Sequence, residues 1–166
     1  MDSTTIAVLL SWAIHLSGYP APEVSPTIQY EPHSFFVEHA CGGKECKVVG
    51  WYNDADVVYV DERHRDDEST FATSLVVHEL VHFLQHYSGK FDSLSCKDSL
   101  VREREAYRVQ NSYIIDAQSS FAFVRPGYFS CAYEKLALTA REPGQSSKVQ
   151  DRPEGDMALL TNTVTR

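Results

Sequence analysis

The segment His78-Glu79-Leu80-Val81-His82 sets two histidines four residues apart. On a helix that spacing stacks them one turn apart on the same face, so both imidazoles can reach one metal ion. Glu79 follows the first histidine by one position, about 100° around a helix of 3.6 residues per turn. It can reach a water on the metal without being a ligand. Zinc in such a site lowers the pKa of its water to about 7, and a carboxylate then serves as general base. The chemistry predicted is hydrolysis, with His78 and His82 as metal ligands, one zinc ion as cofactor and Glu79 as the catalytic base.

A catalytic zinc takes three protein ligands and keeps a fourth position open. The carboxylates available downstream lie in Arg102-Glu103-Arg104-Glu105-Ala106-Tyr107. With Glu103 at 0° and about 100° per residue, Tyr107, Gln110, Ile114 and Ala117 fall within about 40° of it. Glu105 falls at about 200°, beside Arg108, Ser112 and Asp116. Glu103 thus points with the apolar face toward the core and is the predicted third metal ligand, while Glu105 points with the charges toward solvent. A tetrahedral oxyanion needs a donor besides the metal. Tyr107, Tyr113, Tyr52 and Tyr59 are the candidates, and Tyr107 comes first because it flanks Glu103 on the inward face. His86 extends the histidine row, but a filled three-ligand site has no need of it, so it is read as a rim or surface residue. His64 sits in a charged loop and is read as solvated. His15, His33 and His39 carry no spacing argument.

These residues need elements to hold them. From Ser69 to about Ser88 the chain carries Phe71, Leu75, Val76, Val77, Leu80, Val81, Phe83 and Leu84 without Gly or Pro. A helix apolar nearly all round belongs at the centre of a domain. Ser69 or Thr70 can cap it, behind the acidic run Asp66, Asp67, Glu68. A second helix is predicted to start after a cap at Asp98 or Ser99 and to run to about Ala117. Near the N-terminus, Ile6, Leu9, Leu10, Ala13 and Ile14 form an amphipathic stripe, capped by Ser3 or Thr4 and ended by Gly18. That stretch follows Asp2 rather than a basic segment, so it is read as a structural helix and not as a signal peptide. Short strands are expected at Thr27–Tyr30, Lys47–Tyr52 and Val57–Asp61, the last two joined by the turn-rich Asn53-Asp54-Ala55-Asp56. Ser34–Ala40 suits a helical turn or two, and Tyr128–Thr139 one more helix. The fold class expected is α+β: a small, mainly antiparallel sheet of three or four strands packed on the two metal-bearing helices, with the N-terminal helix behind. Residues 1–140 form the domain, and 141–166, rich in Pro, Gly and polar residues, form a flexible tail.

The 166 residues suit one domain, and the 43% hydrophobic and 23% charged shares are those of a folded globular chain. A net charge of -8 with no Lys/Arg run argues against nucleic acid as the main partner. The first apolar stretch is too short to span a bilayer, so no stable membrane insertion is expected. Four cysteines allow three pairings. Cys41 and Cys46 flank the flexible Gly42-Gly43, which leaves Cys96 and Cys131 as the second pair. Free thiols in a cytosolic protein are the alternative, and the lack of a CxxC pair argues against a structural zinc site. The cysteines favour a secreted or periplasmic protein whose signal peptide is absent from this chain, with a cytoplasmic location as the alternative.

The HELVH helix followed by a glutamate on a second helix resembles the gluzincin group of zinc metallopeptidases. In that group a "glutamate helix" supplies the third ligand, often as ExxxD or ExxAD. Here Glu103-Arg104-Glu105-Ala106-Tyr107 keeps the Glu and the Ala but carries Tyr where Asp is usual. That Asp would orient a histidine ligand, and Tyr107 or Gln110 is expected to supply the hydrogen bond instead. The order of elements over residues 3–118 is similar to that of the compact minigluzincins. The resemblance implies a zincin-like fold, peptidase activity and a peptide or protein substrate. It also implies that the strand before the active helix, Val57–Asp61, is an edge strand that pairs with the substrate. Two other functions are compatible with the motif: a catalytically silent zincin-fold binding module, and a zinc hydrolase of a non-peptide amide or ester. The intact Glu79 speaks against the first.

Overall fold

The computed structural model describes residues 1–91, 95–117 and 124–125. Helix α1 spans Ser3–Ser17, and its cap is Asp2 rather than Ser3 or Thr4. The Asp2 carboxylate accepts the backbone N–H groups of Thr4 (2.8 Å) and Thr5 (3.0 Å). A charged acceptor there also suits the positive end of the helix dipole. Gly18 ends the helix at φ 77°, the left-handed position that glycine takes without strain. Strand β1 (Thr27–Glu31) and helix α2 (His33–His39) follow, then β2 (Gly50–Tyr52) and β3 (Val57–Asp61). After a short 3-10 turn at Glu62–His64 come α3 (Thr70–Tyr87) and α4 (Cys96–Asp116). The fold class is therefore α+β, as expected.

The sheet departs from expectation in two ways. Among the described residues it has three strands in the order β1-β3-β2, of which the β2–β3 pair alone is antiparallel. β1 runs parallel to β3, from Thr27 opposite Val57 to Glu31 opposite Asp61. The chain reaches β3 from β1 only after α2 and β2, and that crossover restores its direction. β3 is consequently the central strand and offers no free backbone edge, whereas among the described residues β2 lies at an edge. The hairpin between β2 and β3 turns at Asp54 (φ 63°) and Asp56 (φ 57°), a left-handed conformation that Asp tolerates better than most residues.

The caps of the two long helices also follow side-chain chemistry. The Ser69 hydroxyl accepts the Ala72 N–H (3.2 Å) at the start of α3. Ser95, not Asp98 or Ser99, caps α4: its hydroxyl accepts the Asp98 N–H (3.1 Å) and donates to the Asp98 carboxylate (2.7 Å). Every α3 residue from Ser74 to Gln85 is buried. α3 packs against α4, α1 and the sheet, with Leu9, Leu10 and Ala13 on one side and Val58 and Val60 on another. Fully burying a large apolar side chain is worth roughly 1.5–3 kcal/mol, so the element carrying both histidines is among the most firmly held in the molecule.

Cys41 and Cys46 form a disulfide that closes the loop ahead of β2. Cys96 is disulfide-bonded as well, but the expected Cys96–Cys131 pairing involves residue 131, outside the described residues. The helix expected at Tyr128–Thr139 and the tail from Arg141, and with them the 140/141 boundary, also lie outside the described residues. Among the described residues no helix is long and apolar enough to cross a membrane.

Candidate metal centre

His78 and His82 project from the middle of α3 toward α4, where Glu103 meets them. The histidine Nε2 atoms stand 3.2 Å apart. Glu103 Oε1 lies 3.1 Å from His82 Nε2, and Oε2 lies 3.5 Å from His78 Nε2. All three side chains are at most 5% exposed. Burial and local helical phase agree on α4: Glu103, Tyr107, Gln110 and Ile114 are buried along one face. Ala117, placed on that face by the same reckoning, is exposed because it already lies past the last turn.

The contacts behind the histidines explain what their front faces can do. His78 Nδ1 lies 3.1 Å from Gln110 Oε1, and His82 Nδ1 lies 2.9 Å from Gln85 Oε1. An amide oxygen only accepts, so each Nδ1 carries a hydrogen and each neutral ring keeps its lone pair on Nε2. Two bare nitrogens and a carboxylate then face one another in a buried space, an arrangement that repels unless a cation stands among them. One shared proton relieves one contact, while a metal ion relieves all three. Glu103 Oε2 has no hydrogen-bond partner among the described residues. When protons rather than a metal ion sit on the two rings, burial pushes the Glu103 carboxyl up, but positive charge at His82 and then contacts with His78 outweigh it and hold the group well below the ordinary carboxylate range. The donor set fits a metal ion.

Glu79 sits about a quarter-turn further round α3 and meets β2 instead of α4. The Asp61 N–H donates to the Val49 carbonyl (2.8 Å), so in this antiparallel ladder Val49 and Trp51 face β3, and the backbone groups of Gly50 and Tyr52 turn to the free edge. The Tyr52 backbone N–H favours the charged form of the Glu79 carboxylate, which places that carboxylate near the edge. A Cβ on Gly50 would stand 2.6 Å from Glu79 Oε1 and 3.0 Å from its Cγ. Glycine suits position 50 because the Glu79 side chain occupies the space a Cβ would need. The nearest sequence signal is a glycine inside a strand pattern, which often marks such a close approach. Glu79 is 2% exposed and its Oε2 lacks a hydrogen-bond partner among the described residues. Burial first, and the Glu103 charge second, push its carboxyl up to about 8, against the lowering effects of His78 and the Tyr52 N–H.

The remaining predicted residues divide. Tyr107 lies edge-on against His78 with ring centroids 4.5 Å apart. Burial, then Glu103 and Glu79, keep its phenol protonated far above neutral pH. The hydrogen bond behind His78 comes from Gln110, one of the two residues expected to replace the usual Asp. Gln85, behind His82, has no counterpart in the sequence reading, although it lies three residues along the same helix. Tyr113 donates to Thr73 Oγ1 (3.0 Å), and Tyr59 stacks with Phe35 and Trp51 rather than with His78 or His82. His86 is a surface residue as expected, paired with Asp54 at 3.1 Å. His64 is not solvated: its side chain is only 19% exposed, packed against Phe71 and 3.7 Å from Asp67. Glu105 is not free in solvent either. It accepts from Lys90 Nζ (2.6 Å), Tyr19 Oη (2.6 Å) and Gln85 Nε2 (3.3 Å). The central position of β3 overturns the expectation that Val57–Asp61 is an edge strand.

Comparison of the chain with protein-family models, with curated proteins and with solved structures gave no match.

Proposed function

We propose that this protein is a zinc-dependent peptidase of the gluzincin type, with His78, His82 and Glu103 as ligands and Glu79 as general base. The observation that carries the proposal is the spacing of the three donors. Zinc ligands at about 2.0–2.1 Å in tetrahedral array stand about 3.3 Å from one another. The contacts here are 3.1, 3.2 and 3.5 Å. A base beside such a site, on the same helix, is what separates a hydrolytic centre from a structural one.

Zinc bound there supplies Lewis acidity, which acidifies water and polarises a carbonyl oxygen. Glu79 accepts the proton that water gives up and returns it to the leaving amine. Its raised pKa in the metal-free protein suits it to hold that proton between the two steps. Tyr107, kept protonated by burial, is the assigned donor to the developing oxyanion. β2 replaces β3 as the strand assigned to hold an extended peptide, since its outer backbone groups run beside Glu79. The Cys41–Cys46 bridge supports an oxidising compartment, hence an exported protein.

The test is Glu79→Gln, assayed for zinc content and for cleavage of a peptide library with and without chelator. We expect zinc to stay bound and turnover to fall by at least about 100-fold, the typical contribution of a general base. Full activity in the variant would sink the mechanism. Hydrolysis of amides or esters without peptides would move the assignment to a non-peptide hydrolase, and zinc binding with no hydrolysis at all would leave a binding module.

A further inference from the structure

Each ligand histidine is backed by a neutral carboxamide, and the two carboxamides are locked by different surroundings. Behind His78, Gln110 Nε2 donates to Ser74 Oγ (3.1 Å), whose own hydrogen goes to the Phe71 carbonyl (2.7 Å). Behind His82, Gln85 Nε2 donates to the Arg102 carbonyl (3.0 Å) and to Glu105 Oε2 (3.3 Å). Gln85, Gln110 and Ser74 are all at most 1% exposed. In both cases the amide nitrogen faces acceptors, so the amide oxygen must face the imidazole. A flip of the Gln85 amide would set its oxygen against two acceptors and leave a buried donor pointing at a ring nitrogen, whereas a flip of Gln110 would require Ser74 to give up its hydrogen bond to the Phe71 carbonyl.

We propose that Gln85 and Gln110 are positioning residues that fix both imidazoles with hydrogen on Nδ1 and the lone pair on Nε2, before any metal arrives. The part of the inference that concerns zinc rests on the metal-centre reading above. The part that concerns the tautomer does not. The two locks differ in one consequential respect. Ser74 is a hydroxyl and can turn its hydrogen toward a new acceptor. The Arg102 carbonyl and the Glu105 carboxylate cannot become donors. A carboxylate in place of Gln110 therefore keeps a donor behind it, while a carboxylate in place of Gln85 meets two acceptors. Glu105 itself is held by Lys90 and Tyr19, so the residue that competes with Glu103 in the sequence acts through Gln85 on His82.

The experiment compares Gln110→Leu, Gln110→Glu, Gln85→Leu and Gln85→Glu by zinc affinity in chelator competition and by imidazole nitrogen shifts in the metal-free protein. Each Leu variant is expected to lose about 10–100-fold in zinc affinity, the usual effect of removing a partner behind a metal ligand. Gln110→Glu should bind zinc at least as tightly as the parent chain. Gln85→Glu should lose as much as Gln85→Leu. In the parent chain both rings should show the Nδ1-protonated tautomer without metal, and each Leu variant should mix the tautomers of its own histidine alone. Equal behaviour of the two Glu variants, or unchanged zinc affinity and unchanged shifts in the Leu variants, overturns the proposal. If the parent chain binds no zinc while the nitrogen shifts behave as described, the metal reading fails and the positioning role stands. Should a Leu variant not fold, Gln110→Asn and Gln85→Asn, too short to reach the rings, replace it with the same expectations.

Discussion

Two buried carboxylates in this molecule face imidazoles, and they end up in opposite situations. Asp61 closes β3 with no exposed surface. Its Oδ1 accepts the backbone N–H of Arg63 (3.1 Å) and Arg63 Nε (2.8 Å), and its Oδ2 accepts a second Arg63 nitrogen and lies 2.9 Å from His33 Nδ1. His33 in turn reaches the Cys46 carbonyl (3.0 Å), which ties the disulfide loop to the sheet. Glu103 is almost as deeply buried, yet the atoms it faces are bare ring nitrogens, and its Oε2 has no hydrogen-bond partner among the described residues. A carboxylate and a histidine in contact do not make a metal site. What decides is whether hydrogens already fill the contact. Around Asp61 the backbone and side chain of Arg63 supply hydrogens to both carboxylate oxygens, whichever His33 nitrogen carries its own, and the cluster pins the fold; around Glu103 no such donor stands among the described residues, and the cluster suits an ion.

The sharpest way to break this comparison is to neutralise each carboxylate in turn. Glu103→Gln should cost more than about 100-fold in metal affinity, beyond the usual effect of a residue behind a ligand. Asp61→Asn should leave metal affinity unchanged and lower stability by about 2–3 kcal/mol, the scale of hydrogen bonds to a buried charged group. Chelator competition and denaturant unfolding read the two effects separately, and an exchange of the two outcomes would remove the distinction.

Acid sharpens it further. Burial raises the Asp61 carboxyl, but the Arg63 side chain and backbone and then His33 more than offset this and hold it below its ordinary value of 3.8. A carboxyl held low in the folded state adds stability above its unfolded pKa, and that stability is lost as pH falls through the folded value. Unfolding of the metal-free chain, followed from about pH 6 downward, should therefore show a shallower acid loss in Asp61→Asn than in the parent. The loss should not vanish, because Glu103 is also held low and titrates in the same direction. Equal slopes in both proteins would mean that Asp61 carries no share of the acid sensitivity.

The smallest expected effect on stability belongs to Gly50. Gly50→Ala forces a methyl group against Glu79 and should cost on the order of 1 kcal/mol, the low end for overpacking. If the proposed function is right, turnover should drop at least about 10-fold with metal affinity intact, because the displaced group is the base and not a ligand. Turnover equal to the parent's would show that the close approach at Gly50 has no catalytic meaning.

Much of this was legible along the chain because it depends on short-range periodicity. The spacing of His78 and His82 and the helical phase of Glu103 against Glu105 need only the geometry of one helix, and the structure brings His78, His82 and Glu103 together. The apolar run of α3, its cap at Ser69 and the end of α1 at Gly18 follow from local rules as well. Local rules failed first at the helix starts, where Asp2 and Ser95 won over near neighbours of similar capping strength. They failed more widely wherever two distant segments meet.

Strand direction is the clearest case. Val57–Asp61 and Thr27–Glu31 each announce a strand, but nothing in either says that they run parallel or that β3 lies between its partners. That follows from how α2 and β2 are laid down between them. The same holds for Gly50, whose meaning appears only when β2 passes Glu79, and for Gln85, which is an ordinary helical residue until Arg102 and Glu105 come up behind it. The sequence alone determined which side chains could bind a metal, because helical periodicity fixes the relative direction of residues on one element. Only the tertiary structure decided which donors face lone pairs and which face hydrogens, because that depends on contacts between elements far apart in the chain.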